Sequence, residues 1–83
     1  MPRARVTVTR VSDEGAEVVV WGRLDRAPNE SEPVGFVFRA KGDRSNIELA
    51  ERASRLGSGT EVAIDYAPVA NGWNLASGLL PPP

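Results

Sequence analysis

Cysteine and histidine are both missing from the 83 residues. Their absence excludes disulfides, thiolate nucleophiles, imidazole bases and the usual zinc sites. The chain has a single lysine, Lys41, and a formal net charge of −1, so no global basic field announces a polyanionic partner. No apolar run approaches the ~20 residues of a membrane span, and Met-Pro-Arg-Ala-Arg lacks the apolar stretch of a secretory signal. A cytoplasmic protein with no membrane partner is the expectation. A glycine-rich phosphate loop, a serine in a nucleophile-elbow context and a pair of acids forced onto one buried face are likewise missing. Neither catalysis nor a cofactor is expected. The acids that do fall close together, Asp13 with Glu14 and Glu30 with Glu32, lie in loop-forming stretches and do not make a metal site.

What is present suits one small domain. Hydrophobic residues make up 41% and charged residues 25%, enough of the first to form a core. Residues 1–80 read as the domain and the prolines at 81–83 as a short tail in polyproline conformation. Arg3–Val11 (RARVTVTRV, β1) alternates polar and apolar with period two, as a half-buried strand does. Turn formers follow, and Glu17–Asp25 (EVVVWGRLD, β2) completes an antiparallel hairpin. Gly22 within it suggests a bulge or sharp bend. A polar loop fenced by prolines, Ala27–Pro33, leads to Val34–Ala40 (VGFVFRA, β3).

Ser45-Asn46-Ile47-Glu48 fits a capping box that opens a helix (α1) running to Leu56, with Gly57 at the position of a C′ glycine. Its apolar stripe is Leu49, Ala53 and Leu56, flanked by Ile47 and Ala50. Thr60–Tyr66 (TEVAIDY, β4) alternates again; Pro68 to Gly72 is a turn, and Trp73–Leu80 forms β5. Alternation assigns Val6, Val8, Val18, Val20, Leu24, Val34, Phe36, Phe38, Val62, Ile64, Leu75 and the helix stripe to the interior.

The order β1-β2-β3-α1-β4-β5 resembles the OB-fold, a five-stranded Greek-key barrel with its helix between the third and fourth strands. The stretches VVVWGRLDR and GFVFRAKGDRS look like the second- and third-strand rhythm of OB domains in tRNA-binding and replication proteins. Leu56-Gly57-Ser58-Gly59-Thr60 into EVAIDY is similar to their glycine-led fourth strand. The resemblance covers Arg3 to Leu80 at the level of topology. It does not extend to the acidic tail of bacterial single-stranded DNA-binding proteins, because Leu-Leu-Pro-Pro-Pro occupies the corresponding residues here.

The resemblance implies a ligand lying across β2 and β3, between the β1–β2 and β4–β5 loops. Alternation puts Arg5, Trp21, Arg23, Val37 and Arg39 on that outer face. A tryptophan offers a π-face to a base, and arginines pair with phosphates or stack themselves. Lys41 and Arg44 from the loop after β3 add charge, Arg39, Lys41, Asp43 and Arg44 summing to +2. Trp73 has two readings, a core anchor for β5 or a second stacking ring. Trp21 also has an alternative: packed under the Ala27–Pro33 loop, or turned into the core by a bulge at Gly22. Two partners follow. One is single-stranded DNA or RNA, held by stacking and phosphate contacts. The other is a protein, or a second copy of the chain, docked on the Val19, Trp21 and Val37 patch.

Overall fold

A computed structural model describes residues 3–24, 33–69 and 73–80. Five strands and one helix follow the chain as β1 (Arg3–Asp13), β2 (Glu17–Leu24), β3 (Val34–Arg39), α1 (Arg44–Ser54), β4 (Glu61–Pro68) and β5 (Asn74–Leu80). In space the order differs: the sheet runs β1-β2-β3-β5-β4 and closes on itself where β4 pairs with β1. All ladders are antiparallel except β3–β5, which is parallel and limited to Phe36↔Asn74 and Val37↔Leu75. Among the described residues no helix is long and apolar enough to cross a membrane. The Ala27–Pro33 loop (apart from exposed Pro33), the Asn71-Gly72 turn and the proline tail lie outside the described residues.

Period-two patterning places the expected side chains inside. Val6, Val8, Val18, Val20, Phe36, Phe38, Val62 and Ile64 form one buried cluster with Ala50 and Ala53 of α1. Leu24, Val34, Leu49 and Leu56 pack against it half-buried, while Ile47 is exposed. The interior also takes Leu79, and Tyr66 meets Phe36 edge-to-face with centroids 5.4 Å apart. Leu75 corrects the expectation. Asp65 pairs with Gly78 but Tyr66 with Ala76, so Ser77 is an extra residue in β5. That bulge breaks the alternation between Leu79 and Leu75, and Leu75, abreast of Val37, faces outward.

A second bulge corrects the reading of Gly22, which sits in regular pairing opposite Val8. The irregularity is in β1: Val8 faces Gly22, Arg10 faces Trp21, and Thr9 is the extra residue. β1 stays paired with β2 on both sides of it, while its ladder with β4 ends at Thr7. The Val8 amide donates to the Thr60 carbonyl at 2.8 Å, and its carbonyl accepts from the Gly59 amide at 2.7 Å. The Thr9 hydroxyl donates to the Trp21 carbonyl at 3.1 Å, so the bulge is held on both sides. Gly22 serves as space instead: a Cβ there would run into Val6 Cγ1 inside the closed sheet.

The helix also begins earlier than the capping box proposes. Asp43, with extended backbone (φ −73°, ψ 145°), is the N-cap, and its carbonyl accepts from the Asn46 and Ile47 amides. Gly42 just before it has φ 89°, which turns the chain one step ahead of Ser45. The Asp43 side chain makes no capping hydrogen bond. At its other end Arg55 and Leu56 donate back to Arg52 and Ala53, tightening the last turn, and Gly57 does not adopt the left-handed conformation. The Arg52 guanidinium donates to the Leu79 carbonyl at 3.0 Å, tying α1 to β5.

Candidate binding face

Two tryptophans meet on the outside of the sheet. Trp21 of β2 lies opposite Gly35 of β3, and Trp73 immediately precedes β5, which lies on the far side of β3. Their ring centroids are 5.4 Å apart at an interplanar angle of 62°, an edge-to-face pair. Gly35 makes this possible. A Cβ on it would stand 2.9 Å from Trp73 Cζ3 and 3.1 Å from Trp21 Cζ3, so both six-membered rings rest where a side chain would be. The Asn74 side-chain amide (Nδ2) donates to the Gly35 carbonyl at 3.3 Å, reinforcing the short β3–β5 seam beside Trp73. The Val69 amide donates to the Trp73 carbonyl at 2.9 Å and closes the loop. The core reading of Trp73 is therefore corrected: the residue is 38% exposed and its ring packs on its counterpart, because Gly35 leaves the room outside the sheet.

Arg10 completes the cluster. Its guanidinium carbon lies over the Trp21 ring, 5.4 Å from the centroid, within cation–π range. Among the described residues, Thr9, Arg10, Trp21 and Pro33 line a groove of about 580 Å³. Beyond the Trp pair a second groove, of about 320 Å³, runs toward the β1–β2 loop. Val19, Val37 and Leu75 floor it, Val69 and Trp73 border one side, and Glu14, Glu17 and Arg39 carry its charge. Its formal charge is −1, two carboxylates against one guanidinium. The β1–β2 loop is held in place: the Asp13 carboxylate accepts from the Gly15 amide at 3.0 Å, and the Ala40 amide donates to the Ala16 carbonyl at 2.9 Å.

Of the residues expected at the site, Trp21, Val37, Arg39 and Trp73 line these grooves. Arg23 is exposed on the same face of β2, two residues beyond Trp21 and opposite Thr7. Arg5 is exposed on β1 where that strand pairs with Ala63 of β4, removed from the Trp pair. Lys41 and Arg44 are exposed at the opposite end of β3 and line neither groove. Val19 does face outward, yet it is only 5% exposed.

Arg10, Gly35, Asn74, Glu14 and Glu17 were not among the expected site residues. Arg10 had a signal: inward valines at 6 and 8 are followed by Val11, a spacing of three that an unbroken strand cannot keep on one face. Among the described residues no group of three or more acidic side chains could hold a metal ion. The chain matches no protein-family model, no curated protein and no solved structure.

Proposed function

We propose that the domain is a non-catalytic binding module of the OB type and that its ligand is single-stranded nucleic acid lying across β2 and β3. The closed order β1-β2-β3-β5-β4 and the placement of α1 between β3 and β4 support the fold type. The observation that carries the ligand reading is the Trp21–Trp73 pair seated over Gly35, with Arg10 against Trp21. Indole rings provide sequence-tolerant stacking, and Arg10, Arg23 and Arg39 on the same face provide phosphate contacts. In this reading base edges are little used, so discrimination among sequences is weak.

A second reading rests on a separate observation. The second groove has an aliphatic floor and carries Glu14 and Glu17, which suit an apolar protein segment with a basic group better than a phosphate backbone.

Tryptophan fluorescence during titration with a short single-stranded oligonucleotide, at low and then moderate salt, separates the two. Saturable quenching that weakens steeply with salt supports nucleic acid. A flat titration at low salt rejects it and leaves a protein contact in the second groove, which should be lost in Trp73→Ala and weakened in Glu17→Lys.

A further inference from the structure

We infer that Arg10 is a displaceable cover on the stacking face of Trp21, held over the ring in the free protein and transferred to a ligand phosphate when a base takes its place. This rests on the nucleic-acid reading above and adds to it a residue that changes partner on binding. Three observations carry it. The Arg10 guanidinium carbon lies over the Trp21 ring, 5.4 Å from the centroid, where a base stacking on that face would meet it. Arg10 is exposed, so its side chain can swing into solvent. The backbone beneath is fixed: the Thr9 bulge, bonded to the Trp21 carbonyl, sets Arg10 opposite Trp21 in the ladder. Side-chain rotation is then the low-cost motion.

The exchange is balanced only for a charged strand. A phosphodiester replaces the lost cation–π contact with an ion pair, whereas a neutral backbone displaces Arg10 and returns nothing. Removing the side chain therefore has opposite effects on the two ligands.

The test compares wild type, Arg10→Ala and Arg10→Lys against an eight-residue oligothymidylate and its uncharged methylphosphonate analogue, read by tryptophan fluorescence over a salt series. Arg10→Ala should bind the uncharged analogue about two- to five-fold more tightly than wild type, the equivalent of one exposed cation–π contact. For the phosphodiester the same variant should lose about 0.7 from the slope of log affinity against log salt, one phosphate contact on a single strand. Arg10→Lys should keep that slope. An Arg10→Ala variant that binds the uncharged analogue no better than wild type, or keeps the full slope, overturns the inference while wild-type binding stands. A wild type that does not respond to the phosphodiester overturns the nucleic-acid reading and this inference with it. Thermal unfolding of each variant verifies that the fold is retained.

Discussion

At the residue scale two glycines set the limits of the sheet, one on each side. Gly35 leaves the hollow in which the indoles of Trp21 and Trp73 meet. Gly35→Ala forces a Cβ to within 2.9 Å of one ring and 3.1 Å of the other, so the pair must part. The expected cost is about 1–3 kcal/mol of stability, as for other overpacked sites, with loss of the Trp contribution to near-UV circular dichroism. An unchanged near-UV spectrum would show that the rings do not depend on that hollow. Gly22→Ala places its Cβ against Val6 and 2.9 Å from the Thr7 carbonyl oxygen. Backbone cannot yield as a side-chain end can, so urea unfolding should show Gly22→Ala to be the more damaging of the two. Read along the chain, Gly22 suggested a bulge or bend, and Gly35 carried no role. Why each must be glycine depends on a strand that the chain reaches many residues away.

Single residues inserted in β1 and β5 decide which side chains the elements present. Thr9 breaks the alternation of β1 and sets Arg10 against Trp21; Ser77 breaks that of β5 and turns Leu75 outward. Simple period-two reading found the inward faces of β2, β3 and β4 because those strands keep their period where they line the core. It misplaced Leu75 because a bulge is a compromise between two neighbouring strands and is only faintly marked along one of them. The helix was legible as an apolar stripe, whereas its start was not: Gly42 and the extended Asp43 open it without a capping hydrogen bond from the Asp43 side chain. Its attachment can be tested. Arg52→Ala removes the bond to the Leu79 carbonyl and should lower stability by about 1–2 kcal/mol in urea unfolding, leaving that part-buried carbonyl without its partner. A variant indistinguishable from wild type would show that apolar packing alone holds α1 to β5.

At the scale of the whole molecule, closure of the sheet joins the first strand to the fourth. Arg3 and Asp65 pair directly across that join, with Nε donating to Oδ1 at 2.7 Å and Nη2 to Oδ2 at 3.3 Å. The hydrogen bond from Arg3 and its positive charge hold the Asp65 carboxyl below the usual carboxylate range. A carboxyl with a depressed folded-state pKa stabilises the fold above its unfolded value and loses that contribution as the pH falls through the folded value. Asp65→Asn should therefore melt slightly below wild type at neutral pH, with the two curves converging as the pH falls from about 5 to 2, and the gap is small because the pair is solvent-screened. A parallel decline in both proteins would show that the pair adds nothing to closure. The amino-acid sequence by itself determined that the chain forms strands and one helix in this order, and which valines and phenylalanines leave water, because periodicity and apolar content act locally. Only the tertiary structure decided that β5 lies between β3 and β4, that Trp73 meets Trp21, and that Arg10 rather than Arg5 reaches the ring. Those outcomes depend on inter-strand register, which is settled jointly by strands distant in the chain and shifts by one residue at each bulge.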